Sequence, residues 1–285
     1  MSSLHAPHYA DGLVQIDAPL IANECIAENT YRLRVSAPHI AKSIRPGQFV
    51  MIRLTGTDAP LIGRAFAVWD RHCNEHGVPE SIDLIYLRKG ALTTPLSSAI
   101  PGTLVTVWGP LGNGFSPRTC RRLIMAVGGI GQTPMLLAGR QAIDEGWAQC
   151  VELIYGARRG SLLAGVDDFR AADFEIQLCT DDGSVGSQAR VPDLLSERLA
   201  EIERKDSLTD VRVLTCGPEI MMQKVAELCL AKKVDCEVSM ETPMACGIGI
   251  CFSCVAKVQQ GDGSWDYKRT CVEGPVFDAD AIVWD

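Results

Sequence analysis

Four cysteines near the C-terminus have the residue type and the spacing to bind a metal cluster. They are Cys246, Cys251, Cys254 and Cys271. The first three form a Cys-x4-Cys-x2-Cys loop, and the fourth follows after a further 16 residues. In such a loop three thiolates can converge on two iron ions while the fourth arrives from a later strand. Gly247 and Gly249 let the backbone wrap closely around them. This spacing is typical of a 2Fe–2S cluster.

The same cysteines allow two other interpretations. A structural zinc ion usually takes two separate Cys-x2-Cys pairs, whereas Cys246 precedes Cys251 by five positions and Cys271 has no near partner. Inert buried thiols are the remaining alternative. The spacing favours the iron–sulfur cluster over zinc, and zinc over inert cysteine. Most of the other eight cysteines are expected to be small buried apolar residues.

A glycine-rich turn follows the predicted strand Leu123–Val127 and opens a predicted helix. Its Gly-x-Gly-x-x-Pro motif has Gly129, Gly131 and Pro134 at the fixed positions, with Thr133 before the proline. Backbone N–H groups of such a strand-to-helix turn can bind a pyrophosphate, and proline suits the first turn of a helix. The turn therefore predicts a dinucleotide site, with a plain tight turn as the alternative.

A second turn of small residues, Cys216-Gly217-Pro218, follows the predicted strand Val211–Thr215. Ligands of parallel sheets bind beyond the carboxyl ends of the strands, so Gly217 and Pro218 join the predicted cofactor site. The Cys216 thiol could contact a nicotinamide or simply fill space, and both alternatives stay open. The sequence shows no convincing general acid–base pair, so no catalytic residue is predicted.

Three segments within the first 115 residues could bind a flavin. Arg64 begins a strand-like run with an aromatic residue, where a guanidinium could pair with a pyrophosphate while the strand lines the ring. A glycine loop with a threonine hydroxyl and a dense turn of glycines follow it. The predicted flavin-binding residues are Arg64, Ala65, Phe66, Ala67, Gly90, Thr93, Gly109 and Gly112. Taken alone, each segment also fits an ordinary surface strand or turn.

The pattern of strand-like and helix-like segments divides the chain into three predicted domains. Residues 12–117 contain short strand-like runs such as Phe49–Leu54 between turn signals, which suggests a small antiparallel barrel. Residues 118–235 alternate apolar strands with helical patterns, which indicates a doubly wound parallel sheet with helices on both faces. Residues 236–285 are rich in Cys and Gly and form a small cluster subdomain. The predicted helices are Thr133–Asp144, Pro192–Arg204 and Pro218–Ala231.

Composition excludes some classes of protein. The chain of 285 residues carries a net charge of −8, which argues against binding nucleic acid through a general basic surface. The N-terminal segment is polar, with His5 and His8, and no apolar run reaches the roughly 18 residues of a membrane span. Twelve cysteines suggest metal binding or redox chemistry in a reducing compartment. We therefore expect a soluble cytoplasmic protein.

Together these motifs resemble the ferredoxin–NADP reductase superfamily, and more narrowly the electron-transfer subunits of NAD-linked dihydroorotate dehydrogenase. The most specific parts are the cysteine loop, the tail Cys271–Phe277 and the turn Gly109–Phe115. The resemblance implies that Arg64 and Phe66 lie in the strand that holds FAD, that Gly90 and Thr93 bind its phosphates, and that the Gly-x-Gly-x-x-Pro loop binds NAD. The usual serine of the flavin strand is Ala67 here, so a side-chain hydrogen bond to the flavin would be lost.

The resemblance also implies a mechanism and a partner. Hydride passes between nicotinamide and flavin, and single electrons pass between flavin and a 2Fe–2S cluster. The partner would be an FMN-containing dihydroorotate dehydrogenase subunit of pyrimidine biosynthesis, in a heterotetramer. One alternative is a generic NAD(P)H reductase subunit for another redox partner; Arg158 and Arg159 leave the choice of NAD over NADP open. An alternative from a different class is a non-catalytic binding module structured by zinc.

Overall fold

The computed structural model describes residues 12–284, so the segment with His5 and His8 lies outside the described residues. The first part of the chain forms a closed six-stranded barrel whose neighbouring strands are all antiparallel. Its strands are β1 (Val14–Ala27), β2 (Thr30–Ser36), β3 (Phe49–Leu54), β4 (Arg64–Cys73), β5 (Pro79–Leu87) and β6 (Leu104–Leu111). Their spatial order is β1-β2-β5-β4-β3-β6, with β6 pairing back onto β1. The predicted antiparallel barrel is confirmed.

Alternation along these strands fills the barrel with apolar side chains, as expected for a small closed sheet. Leu33, Val50, Leu84 and Val107 point into this core and are fully or almost fully buried. Two short helices, α1 (Pro38–Ser43) and α2 (Thr93–Leu96), lie in connections between strands. They bury Ile40, Ala41 and Leu96 against the same core.

The second part of the chain is an α/β layer. Its elements are β7 (Cys120–Gly128), α3 (Met135–Asp144), β8 (Ala148–Ala157), α4 (Val166–Ala171), β9 (Glu175–Thr180), α5 (Val191–Lys205), β10 (Val211–Cys216), α6 (Glu219–Lys232) and β11 (Asp235–Ser239). The strands β11-β10-β7-β8-β9 are parallel neighbours in that order. Apolar clusters cover both faces of the sheet, one with α5 and α6 and the other with α3 and α4. The predicted parallel sheet with helices on both faces is confirmed.

The glycine-rich turn differs locally from the prediction. The helix was expected from Thr133, but Gly129–Gln132 form a 3-10 turn and α3 begins only at Met135. Pro134 occupies the N-cap position of α3. The reason is that the left-handed Gly129, with φ of 55°, turns the chain out of the strand before regular helix can form.

The C-terminal part leaves the α/β sheet after β11 and then returns to it. Strands β12 (Val255–Gln259) and β13 (Trp265–Arg269) form a separate antiparallel pair. Strand β14 (Val276–Asp278) pairs antiparallel with β11 as the edge strand of the large sheet. Strand β11 also spans residue 236, where the sequence predicts the start of the cluster subdomain. Residues 240–275 thus form an excursion between two neighbouring strands.

Side-chain contacts join these parts into one body. Asp70 of the barrel forms an ion pair with Arg140 of α3, and Trp69 packs edge-on against Phe169 of α4 at 4.9 Å. Asn113, in the connection out of the barrel, donates to the Val276 carbonyl at 2.7 Å and accepts from the Val276 N–H at 2.9 Å. No helix within residues 12–284 is long and apolar enough to span a bilayer.

Candidate functional site

A cleft of about 600 Å³ lies between the barrel and the α/β sheet, and we call it the barrel cleft. It gathers residues that the sequence analysis proposed for two different ligands. From the flavin set it is lined by Arg64, Ala65, Phe66, Ala67, Gly90 and Thr93, and from the nucleotide set by Gly131, Thr133, Pro134 and Cys216. Segments more than 120 positions apart in sequence therefore share one wall.

Strand β4 presents its backbone and a cation to the barrel cleft. The Arg64 guanidinium donates to the carbonyl oxygens of Ile62 at 2.9 Å and Gly63 at 3.1 Å, and it has no ion-pair partner among residues 12–284. Phe66 meets Tyr86 of β5 edge-on at 6.0 Å, which fixes its ring beside the cleft. Ala67 offers no side-chain donor. This strand thus supplies one free positive charge and a flat peptide edge.

The loop after β5 is held in shape by threonine hydroxyls. Thr93 Oγ1 accepts from the Lys89 N–H at 2.7 Å, and Thr94 Oγ1 accepts from the Gly90 N–H at 3.4 Å. Gly90 has φ of 148°, which L side chains rarely adopt, and nothing lies within 4 Å of where its Cβ would stand. The conformation of the backbone, rather than lack of space, therefore requires glycine here.

Two of the proposed flavin residues, Gly109 and Gly112, line neither this cleft nor the one described next. A Cβ on Gly112 would lie 2.6 Å from Pro275 Cδ and 2.7 Å from the Gly274 carbonyl oxygen. A Cβ on Gly109 would lie 2.8 Å from Val50 Cγ1. These glycines let the end of β6 approach β3 and the C-terminal tail, so their visible role is packing.

A second cleft of about 710 Å³ lies at the carboxyl ends of the parallel strands, and we call it the sheet cleft. Gly129 and Pro218 line it, together with Tyr155, Arg158 and Asp181. Ile130 lines both clefts, so the glycine-rich turn is the wall between them. Arg159, in contrast, forms an ion pair with Glu28 outside the cleft.

The turns after β7 and β10 touch each other directly. A Cβ on Gly131 would lie 2.4 Å from the Cys216 carbonyl oxygen, and a Cβ on Gly217 would lie 2.9 Å from the Gly128 nitrogen. Gly217 itself lines neither cleft. The glycines at these two positions therefore bring the two predicted nucleotide turns into backbone contact.

Cys216 lies at the floor of the barrel cleft, next to Ser239. Burial raises the pKa of its thiol to about 12. The group is therefore a neutral thiol near pH 7 and is suited to contact a ring rather than to act as a nucleophile.

One further segment of the barrel cleft is not indicated by any motif in the sequence. Ser239, Met240, Glu241, Thr242, Pro243 and Met244 all line it, directly before the cysteine loop. They carry no glycine or charge motif, so the only available signal was their position between a predicted strand end and Cys246. The segment makes the cleft wall continuous with the cysteine loop along the chain.

The four cysteines all lie in the excursion. Cys254 and Cys271 are buried in one apolar cluster, and Cys246 Sγ accepts a hydrogen bond from the Ile248 N–H at 3.4 Å. The Arg269 guanidinium donates to the Gly249 carbonyl at 3.0 Å, which holds the loop against β13. Trp108 Nε1 donates to the Cys246 carbonyl at 3.1 Å, which fixes the loop to the barrel.

Two glycines of the cysteine loop have backbone conformations that favour glycine. Gly247 and Gly249 have φ of 74° and 79°. A Cβ on Gly247 would lie 2.7 Å from Met51 Cγ, and one on Gly249 would lie 2.6 Å from Val272 Cγ2. Both the backbone conformation and the close packing therefore exclude a larger residue.

Two cysteines of the loop have lowered pKa values. Hydrogen bonds from Ser253 lower the pKa of Cys251 to about 6. The neighbouring Cys271 thiol lowers the pKa of Cys254 to about 6, while the Cys271 pKa rises because it acts as the donor beside Cys254. Thiolates are the form that binds iron.

One apolar cluster connects the barrel cleft with the cysteines. Phe49, Ala65 and Met244 line the cleft, and they pack in the same cluster as Cys254 and Cys271. A ligand in the cleft and a cluster on the cysteines would therefore be separated by only a thin layer of side chains.

Comparison with known proteins agrees with this geometry. Residues 17–115 match the oxidoreductase FAD-binding domain family, and residues 241–283 match the iron–sulfur cluster binding domain of dihydroorotate dehydrogenase B. An electron transfer subunit of dihydroorotate dehydrogenase B (NAD(+)) from Desulforamulus reducens is 35% identical over 94% of this chain and 98% of that protein. The chain belongs to this family of electron transfer subunits.

A second member of the family, from a Geobacillus species, is 33% identical over 93% of this chain and 96% of that protein. Among solved structures, the NADH-dependent reduced ferredoxin-NADP oxidoreductase superposes with a TM-score of 0.77 and 25% identity, over 94% of this chain and 90% of that chain. The chain is therefore a flavin-dependent oxidoreductase subunit with an FAD-binding domain and an iron–sulfur cluster binding domain.

Proposed function

We propose that this chain carries electrons from an FMN-containing dihydroorotate dehydrogenase catalytic subunit to NAD. The reaction would be a step of pyrimidine biosynthesis. The single observation that carries the proposal is the continuity of one segment, Ser239–Met244, which lines the barrel cleft and leads into the cysteine loop. The names of the relatives, electron transfer subunits of dihydroorotate dehydrogenase B, supply the identity of the partner.

We assign FAD to the barrel cleft. Arg64 would neutralise the flavin pyrophosphate, the backbone of Ala65–Ala67 would lie along the ring, and the Gly90–Thr93 loop would hold the phosphates. Support comes from the free guanidinium at the cleft wall and from the hydroxyl bonds that shape the loop. With alanine at position 67, the protein contacts the ring edge there through its backbone alone.

We assign NAD to the sheet cleft, with its nicotinamide end reaching past the glycine-rich turn into the barrel cleft. Gly129, Gly131 and Pro218 would give the ligand close access to the backbone. Cys216 would form the floor beneath the nicotinamide. The flavin exchanges a hydride with nicotinamide and single electrons with the cluster when all three are bound; the protein's part is to hold the rings together and exclude water.

We assign the 2Fe–2S cluster to Cys246, Cys251, Cys254 and Cys271. The spacing of the four cysteines and the match of residues 241–283 to an iron–sulfur cluster binding domain support this ligand set. Arg269 and Trp108 would keep the loop in place by bonds to its carbonyls.

The rim of the cysteine loop is the proposed docking face for the catalytic subunit. Ile250 is 73% exposed and Phe252 is 63% exposed, while Ile248 packs inward against the apolar cluster of the cysteines. The Arg269 guanidinium lies 5.0 Å from the centre of the Phe252 ring and holds it at the surface. Exposed apolar residues beside a redox centre suit a partner that must approach it closely. Two copies of each subunit would give the proposed heterotetramer.

A mixed-subunit assay tests the function. This chain alone should show flavin and 2Fe–2S absorbance and should oxidise NADH with artificial acceptors, but it should not oxidise dihydroorotate. Adding the cognate FMN subunit should create NAD-dependent dihydroorotate oxidation, and both chains should co-purify. No complex and no coupled activity, with both subunits fully loaded, would refute the assignment of the partner.

A second candidate is a reductase subunit for another redox protein. The similarity to the NADH-dependent reduced ferredoxin-NADP oxidoreductase favours it. Its cofactors are the same, so the discriminating measurement is NADH-dependent reduction of ferredoxin compared with coupling to the FMN subunit.

We also propose a cytoplasmic location. None of the twelve cysteines forms a disulfide, which suits a reducing compartment.

A further inference from the structure

Gln132 is a buried amide that the structure leaves without hydrogen bonds. The residue is 0% exposed, and neither its Oε1 nor its Nε2 has a partner among residues 12–284. It lies in the 3-10 turn between β7 and α3 and is among the residues that line the sheet cleft. Thr133, the next residue, lines the barrel cleft instead.

An unsatisfied buried amide is expensive. Each unpaired donor or acceptor costs about 1–3 kcal/mol, and an apolar residue of the same length at this position would avoid that cost. Few native proteins keep such a group without a partner that satisfies it in the working state. The position of Gln132 suggests that this partner is a ligand of the cleft.

A hydrogen-bond partner for the Gln132 amide can be reached only from the sheet cleft. The other face of the turn is closed by the contact between Gly131 and the Cys216 carbonyl. Tyr155, across the cleft wall, already accepts the Ala164 N–H at 3.1 Å. The amide lies just below the cleft surface, and rotation about the three side-chain torsions of glutamine can bring it to a bound molecule.

We propose that Gln132 is a positioning residue for the dinucleotide, whose amide turns into the sheet cleft and hydrogen-bonds the ribose–diphosphate portion. A carboxamide both donates and accepts, which matches ribose hydroxyls and diphosphate oxygens together. Binding therefore satisfies a group that is unsatisfied in the free protein. The proposal rests on the assignment of NAD to the sheet cleft.

The test replaces Gln132 with methionine, which has the same length and no hydrogen-bonding group. ADP-ribose carries the ribose–diphosphate portion without nicotinamide, so its dissociation constant is measured by calorimetry on the flavin- and cluster-loaded protein. Q132M should bind ADP-ribose at least about tenfold more weakly, which is the loss of one or two hydrogen bonds. Without ligand, Q132M should melt about 2–4 °C higher, because the unpaired amide is gone. Q132L repeats the test with a different shape.

A matched control is Q141M, which makes the same substitution on α3 outside both clefts; Gln141 Nε2 donates to Glu145 at 2.7 Å, and its buried Oε1 has no partner among residues 12–284. It should leave ADP-ribose affinity unchanged. A charge reversal at the cleft wall, R158E, reports whether the ligand occupies the sheet cleft at all. If Q132M and Q132L bind ADP-ribose within about twofold of the wild type while R158E weakens binding, the role of Gln132 is refuted and the cleft assignment stands. If R158E also has no effect, the assignment of NAD to the sheet cleft fails as well.

Discussion

Replacing Arg64 with alanine tests the proposed flavin site at the cation that β4 presents to the barrel cleft. The guanidinium is exposed, and it donates only to the carbonyls of Ile62 and Gly63, with no ion-pair partner within residues 12–284. Its removal therefore takes a charge out of the cleft without leaving a buried group unpaired. We expect the fold and the iron–sulfur spectrum to be unchanged and the retention of FAD to fall.

The size of the effect follows from the bond that would be lost. One charge-assisted hydrogen bond to a phosphate contributes about 1.5–3 kcal/mol, which corresponds to a dissociation constant for FAD that is about 10- to 150-fold higher. Because Arg64 is exposed, ions screen part of this attraction. The deficit should therefore lie near the lower limit in high salt and move toward the upper limit in low salt.

Flavin fluorescence on dilution measures FAD release from the wild type and from Arg64→Ala at two salt concentrations. Arg71→Ala is the matched control, because Arg71 lies on the same strand but does not line the barrel cleft. Its FAD affinity should equal that of the wild type. If Arg64→Ala kept the wild-type affinity at both salt concentrations, Arg64 would not contact the flavin phosphates.

Two further predictions concern the cysteine loop and the barrel. Cys251→Ala should abolish the 2Fe–2S absorbance and electron paramagnetic resonance signals and leave flavin reduction by NADH largely intact. The control Cys73→Ala, at an exposed cysteine outside the loop, should change neither. A full cluster spectrum in Cys251→Ala would exclude Cys251 as a ligand. Burial alone would raise the pKa of Asp83, but hydrogen bonds from Arg34 and His72 outweigh it and lower that pKa below 3.8. Asp83 therefore stabilises the fold above the unfolded-state pKa, and this contribution is lost as the pH falls through the lower folded-state value. Asp83→Asn should reduce the free energy of unfolding by about 2 kcal/mol at pH 7, and the difference from wild type in urea denaturation should shrink below about pH 4; an equal deficit at pH 3 and pH 7 would contradict the ion pair.

Local patterns were enough to predict the elements that carry their own signal. The run Phe49–Leu54 is a strand with the predicted bounds, because four of its six residues are fully buried and apolar. Strand β1 is not indicated by the sequence, since only two of its 14 residues are buried. In a strand that is largely exposed, few positions must be apolar, so its sequence resembles that of a loop.

The same limit applies to the site. An iron–sulfur site in the C-terminal part could be predicted because the spacing of its cysteines along the chain is a specific signal, and residues 241–283 match an iron–sulfur cluster binding domain. The role of Gly112 could not be predicted, because the sequence does not show that Pro275 will lie against it. The lining segment Met240–Met244 was missed for the same reason: its contribution depends on how β11 delivers it between two domains.

The return of the chain from β14 to β11 has a consequence for how the cluster-bearing part is built into the molecule. Ser239 and Val276 are paired neighbours, so residues 240–275 leave and re-enter the sheet at adjacent points. Neighbouring strands lie about 4.8 Å apart, which is a distance that a short hairpin could also bridge. The excursion is thus an insertion whose two ends are both fixed in the sheet. It cannot move away as a domain on a single linker could. In the course of evolution it could be replaced as one unit without changing the strand order of the sheet.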